Sequence, residues 1–137
     1  MLGKILKFGV PVALALLCDS PGAAPAARQA AIIHEIRGDK AEHTFVLDFV
    51  EVRDCNCDSG IQIVNQNKKL RSFQAGKAVK IELLKNAAEY RAATVADLEA
   101  GLAGKNYGWP FDRSTPFEFR FDAANRRILE IRQIYLP

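Results

Sequence analysis

Thr44-Phe45-Val46-Leu47-Asp48-Phe49-Val50-Glu51-Val52-Arg53 is the stretch whose reading sets the fold class of this chain of 137 residues. It is rich in β-branched and aromatic residues and apolar at both alternating positions for much of its length. Successive side chains of a strand point to opposite faces, so this pattern predicts a long strand buried on both sides. Asp48 interrupts one face, and a carboxylate there reads as an edge or rim position turned to water.

Forward from this strand, Asp54-Cys55-Asn56-Cys57-Asp58-Ser59-Gly60 reads as a loop and Ile61–Asn65 as a second strand, paired with the first as a hairpin with Ile61 and Ile63 turned inward. The polar run Asn65–Lys69 reads as a turn, followed by Leu70–Phe73. Ala78–Leu84 alternates, with Val79, Ile81 and Leu83 opposite Lys80 and Glu82, the signature of a half-buried strand. Phe117, Phe119 and Phe121 alternate with Glu118 and Arg120. A turn over Asp122–Arg126 then leads to a last strand over Ile128–Tyr135.

One helix is expected. Thr94 is a good N-cap, Asp97 supplies the capping-box partner three residues on, and Val95, Leu98 and Leu102 share a side. Gly104 suits the left-handed position that closes a helix, while Gly101 weakens the last turn by about 1 kcal/mol relative to Ala. Tyr107, Trp109 and Phe111 lie in a Gly- and Pro-containing loop and are expected to cap the core. Backward from Thr44, Ile32–His43 reads as a short first strand or an irregular lead-in.

Long strand, strand, strand, helix, strand, strand is the element order of an OB-fold. The expectation is therefore a mainly β domain, a small OB-like five-stranded barrel with one helix between strands 3 and 4. The alternative is an α+β open antiparallel sheet covered by one helix.

The first 26 residues read as a separate signal peptide, leaving 27–137 as a single domain. Lys4 and Lys7 precede the apolar run Phe8–Cys18, which is too short to span a bilayer as a helix, and Ala24 and Ala26 supply the small-residue spacing for cleavage after Ala26. The expected location is periplasmic or secreted. Cys18 at the end of the apolar run is a second reading as a lipoprotein site, although Leu17 before it is large for that signal. Removing Lys4, Lys7 and Asp19 from the 19 basic and 16 acidic side chains leaves 17 and 15, near +2, a balance that favours solubility rather than a polyanion partner.

Ile63-Val64-Asn65-Gln66-Asn67-Lys68-Lys69-Leu70-Arg71-Ser72-Phe73 and the ending Ile131-Arg132-Gln133-Ile134-Tyr135-Leu136-Pro137 resemble the N-x-N-x-x-L-R segment and I-x-x-x-Y-x-P ending of a group of small exported bacterial proteins. The likeness runs from about Phe45 to Pro137 and includes the aspartate-bearing strand with Asp48. Glu118 stands where tryptophan is usual, and Gln133-Ile134 where Glu-Gln is usual. The resemblance implies export and a shared small fold, and no activity.

Candidate chemistry concentrates in the Asp54–Gly60 loop. Asp54, Asn56 and Asp58 have the i, i+2, i+4 oxygen spacing that opens a calcium loop, but Gly60 comes one position late and Asn65 stands where a closing glutamate belongs. Cys55 and Cys57 could hold Cu(I) or contribute to a zinc site, with only His34 and His43 available to help. Alternatively, as the only cysteines left after signal removal, they form a disulfide: a local structural bridge in the preferred reading, or a redox-active one if its very small ring makes it exchangeable. No nucleophile elbow or catalytic set appears around Ser59, Ser72 or Ser114.

The basic residues Lys68, Arg71, Arg126 and Arg127 are the candidate ligand rim, and export weighs against nucleic acid as the ligand. The expected function is an exported binding module, not an enzyme, for an envelope or extracellular protein or glycan. A metal-binding or redox-active protein using the Asp54–Gly60 loop is the alternative.

Overall fold

The computed structural model describes residues 27–38, 41–66, 68–105 and 110–136. The predicted signal segment 1–26 lies outside them, as do Tyr107 and Trp109. Nine strands and one helix follow in order: β1 (Ala27–Gly38), β2 (Glu42–Phe49), β3 (Glu51–Asp54), β4 (Ile61–Val64), β5 (Leu70–Gly76), β6 (Lys80–Leu84), β7 (Tyr90–Ala93), α1 (Val95–Leu102), β8 (Pro116–Phe121) and β9 (Ile128–Gln133). Seven strands make one mixed sheet in the order β5-β2-β1-β8-β9-β6-β7, and β3 and β4 make a separate two-stranded ribbon. Among the described residues only β6 and β9 pair in parallel; the other neighbours are antiparallel.

Among the described residues the chain is mainly β with one helix, as expected, but they form no closed barrel of five strands and the helix stands between the seventh and eighth strands. Two local features account for the difference. The twelve residues of β1 form an internal strand, and a register shift between Ile33 and Glu35 marks a bulge at His34. Ala31 and Ile33 face the core before it and Ile36 after it, so the alternation changes phase and the sequence reads as irregular. The long Thr44–Arg53 run is broken at Val50, a buried residue whose N–H bonds to Ala30 O at 3.0 Å. Its first part, β2, joins the sheet between β1 and β5, and its second part, β3, turns away to pair with β4. The hairpin around Asp54–Gly60 is therefore present, but Ile63 is exposed rather than buried.

The core occupies the concave face. Phe45 and Leu47 of β2, Phe73 and Ala75 of β5, Ile81 and Leu83 of β6, Phe117, Phe119 and Phe121 of β8 and Ile131 of β9 all point into it. Helix α1 adds Leu98 and Leu102. Thr94 and Asp97 make the reciprocal capping box (Thr94 N–H to Asp97 Oδ2 3.0 Å, Asp97 N–H to Thr94 Oγ1 3.2 Å). At the other end Gly104, at φ +99°, donates to Gly101 O and Lys105 donates to Ala100 O, the paired bonds of a Schellman closure. Phe111 packs edge-on against Phe117 with ring centroids 5.5 Å apart, as expected of a core-capping aromatic.

The opposite face of the same strands carries a ladder of alternating charge. Glu130 Oε1 lies 3.3 Å from Arg120, Glu130 Oε2 lies 3.5 Å from Lys80, Arg28 reaches Glu118 at 3.2 Å, and Arg132 reaches Glu82 at 3.4 Å. Glu130 with Arg120, Glu130 with Lys80 and Arg132 with Glu82 are direct cross-strand partners and Arg28 with Glu118 a diagonal one, so the charges there complete the sheet. Burial alone would push the Glu130 carboxyl up, but the hydrogen bond and charge of Arg120, with the charge of Lys80, hold it below the ordinary glutamate value.

Candidate functional site

The sheet curls far enough that its edge strand β5 reaches the turn between β8 and β9, across an open seam that no strand pairing bridges among the described residues. The floor of the seam is aromatic. Phe49 and Phe73 stack with their planes 8° apart and centroids 5.7 Å apart, and Phe73 meets Phe121 at 4.6 Å. Phe73 and Phe121 are buried and Phe49 is half-buried.

Two arginines from distant parts of the chain cover this floor. Arg71 of β5 places its guanidinium 4.6 Å from the Phe49 ring centroid, and Arg126 places its own 5.1 Å from that of Phe73. Neither has a carboxylate partner among the described residues. This separates them from Arg28, Arg53, Arg120 and Arg132, all of which are paired with acids.

The β8–β9 turn is built to present Arg126. Asp122 Oδ1 accepts from Ala124 N–H at 2.8 Å, Arg126 N–H bonds to Asp122 O at 2.7 Å, and Asp122 N–H bonds to Arg127 O at 2.8 Å. Arg126 adopts φ +58°, a left-handed conformation uncommon for a non-glycine residue and the only such non-glycine position among the described residues. Residues held in that region cost free energy and cluster where function needs them.

Arg127, the other arginine of the expected rim, is held by partners within the chain. It pairs with Glu42 and approaches Gln74 Oε1 at 3.5 Å, so it latches the turn to β2 and β5. Gly76 gives it room, since a Cβ there would stand 3.1 Å from Arg127 Nη2. The groove beside this latch holds about 510 Å3 and is lined by Thr44, Ser72, Phe73, Gln74, Asn125 and Arg126 with Arg127. A separate, smaller one of about 220 Å3 is lined by Arg71 with Gln29, Phe49, Val50, Glu51 and Gln66. Lys68 is exposed just before β5. The structure thus brings Arg71, Arg126 and Arg127 to one seam and leaves Lys68 outside the stacked pair.

A larger cleft, about 570 Å3, lies between the start of α1 and the β1–β2 end. Val79, Ile81, Ala93 and Val95 make its walls, and its mouth carries both signs of charge in Lys77 and Glu99. The unpaired side-chain charges stacked on the seam are of one sign.

The Asp54–Gly60 loop is the tip of the β3–β4 ribbon, closed by Cys55 N–H to Gly60 O at 3.0 Å and Gly60 N–H to Cys57 O at 2.9 Å. Cys55 and Cys57 stand at disulfide distance with their Cα atoms 5.3 Å apart. Asp54, Asn56 and Asp58 are exposed around the tip. Among the described residues, no three or more His, Cys, Asp or Glu side chains gather as they would to hold a metal.

Asp48, expected at an edge, sits on internal strand β2. Its Oδ2 accepts from Asn65 Nδ2 at 2.7 Å, while Asp48 Oδ1 and Asn65 Oδ1 are buried without a partner. The bond ties the root of the ribbon to the sheet. His34, the bulge residue, is exposed, and its carbonyl accepts from Arg113 at 3.4 Å. Arg71 and Arg126 both belong to the expected rim, but their common aromatic floor was not legible in the sequence, because 71 and 126 fall in two separate basic groups that only the curl of the sheet joins. No protein family, curated protein or solved structure matches this chain.

Proposed function

We propose that this chain is an exported binding module whose open seam recognises an anionic group on an envelope or extracellular glycan. The observation that carries the reading is the pair Arg71 and Arg126: two guanidinium planes, each held on an aromatic ring of one stacked pair, each without a carboxylate partner. A guanidinium presents a rigid fork of donors that matches carboxylate, sulfate or phosphate oxygens, and stacking on a ring restricts it before binding, so less side-chain entropy is lost on capture. The left-handed Arg126 and the Arg127–Glu42 latch fix the turn that carries one of the two forks.

Export rests on the charged start, apolar run and small-residue site of the first 26 residues. Cleavage after Ala26 would leave Ala27, the first residue of β1, as the new N terminus, and every strand would remain whole.

Titration of the chain with sulfated, uronic-acid and neutral oligosaccharides of equal length tests the proposal. The expected result is binding of the acidic sugars alone, weakening as salt rises, with Arg71→Ala and Arg126→Ala each reducing affinity by about tenfold, the loss of one charge-assisted hydrogen-bond set. Equal binding of neutral sugars, or unchanged affinity in both variants, would reject it. Capture of an acidic protein in place of any sugar would reassign the ligand class.

A further inference from the structure

We infer that the Cys55–Cys57 bridge is an exchangeable redox centre, reduced by an external dithiol and reoxidised by that partner's disulfide form while the domain stays folded. This inference stands independently of the seam. A structural disulfide joins segments that the chain would otherwise let drift apart. Here the two cysteines are separated by one residue, and the hairpin that holds them is already fixed by its own bonds. Four register pairs run from Glu51↔Val64 to Asp54↔Ile61, two backbone bonds close the tip, and Ser59 Oγ donates to Ile61 O at 2.9 Å. The bridge therefore adds no long-range connection.

Access points the same way. Cys57 and every residue from Asn56 to Gly60 are exposed, and Cys55 is half-buried. Exposed disulfides and those in small strained rings are the ones that exchange readily. Once opened, the two sulfurs remain on the same tight turn, so reclosure needs no search. After the predicted cleavage no third cysteine is left to compete.

A thiolate of the partner dithiol attacks Cys57 Sγ, the bond between the sulfurs of Cys57 and Cys55 breaks, and Cys55 departs as a thiolate that takes up a proton. The partner's second thiolate then attacks the partner sulfur in the mixed disulfide, releasing Cys57, which is protonated in turn. The partner dithiol loses two electrons and two protons and becomes a disulfide; the chain gains both as two thiols. The reverse sequence reoxidises it.

The test uses the full chain purified from an oxidising compartment, with dithiothreitol as the dithiol and, in separate samples of the single-cysteine variants, oxidised glutathione as the trapping disulfide. The expected result is reduction of Cys55–Cys57 in the folded protein, without loss of its cooperative melt. Oxidised glutathione should also attach to Cys57 in Cys55→Ser, releasing one reduced glutathione, about tenfold faster than to Cys55 in Cys57→Ser, following sulfur access. Two free thiols in the unreduced sample, reduction only after unfolding in urea, or equal trapping at both positions would each overturn the inference.

Discussion

Replacing Gly101 by alanine sets two physical rules against each other. Gly101 lies in the last turn of α1, where helix propensity alone predicts that alanine stabilises by about 1 kcal/mol. In the folded chain the position is buried under the Phe111 ring: a Cβ on Gly101 would stand 2.7 Å from Phe111 Cε1 and 2.5 Å from Cε2, and nearer still to Cζ. Carbon atoms in contact prefer roughly 3.5–4.0 Å, so the ring must withdraw by about 1 Å or more. It has little room to do so, because Phe111 is 8% exposed and set edge-on against the fully buried Phe117. Overpacking of this kind costs about 1–3 kcal/mol, which offsets the propensity gain and leaves Gly101→Ala destabilised by up to about 2 kcal/mol. Urea melts of wild type, Gly101→Ala, Phe111→Leu and the double variant measure this as a cycle. The expected coupling is favourable: alanine at 101 should harm the wild type and help, or do no harm, when residue 111 is leucine. A Gly101→Ala protein more stable than wild type would refute the packing argument.

Gln133 is the buried polar residue at the end of the parallel β6–β9 pair, where its Oε1 accepts from Leu84 N–H at 2.9 Å and its backbone oxygen accepts from Tyr90 Oη at 2.9 Å. Gln133→Leu keeps the volume but leaves the Leu84 N–H without a partner, and denaturant melts should show a loss of about 1–3 kcal/mol. Glu130→Gln removes the carboxylate shared by Arg120 and Lys80 and should cost roughly 1 kcal/mol at neutral pH. Because the folded pKa of Glu130 is depressed, that contribution is present above the ordinary glutamate value and disappears as pH falls through the lower folded value. The stability gap between variant and wild type should therefore close in acid. Expression with export should yield a chain beginning at Ala27, read by intact mass; a product retaining residues 1–26, or lipidated at Cys18, would displace the cleavage reading.

What the sequence revealed and what it concealed follow from the range of the interactions involved. The helix was legible down to its caps, because Thr94, Asp97 and Gly104 act on neighbours three or four residues away. The β8 strand was legible because three phenylalanines alternate with Glu118 and Arg120 without interruption. β1 was obscured by one extra residue at His34, which moves its apolar side chains to the other parity. β7, Tyr90-Arg91-Ala92-Ala93, has little apolar content and is held by pairing with β6, so nothing local announces it. The barrel expectation failed for the same reason: strand count and sheet order depend on these two strands. In the candidate site the basic residues themselves were legible, but not their division of labour. Arg127 is neutralised by Glu42, on a strand remote in sequence, whereas Arg71 and Arg126 rest on rings that meet only in the curled sheet.

The central claim is that Arg71 and Arg126 form one anion-recognition surface on the Phe49–Phe73 floor. The most direct measurement is an NMR titration that follows arginine side-chain Nε–H signals as a sulfated oligosaccharide is added to the full chain. The account predicts that the Arg71 and Arg126 signals shift together along one binding curve, while those of Arg28, Arg120 and Arg132, held in the charge ladder, stay in place. Shifts spread over the ladder arginines, or an Arg71 and Arg126 pair that does not respond, would contradict it.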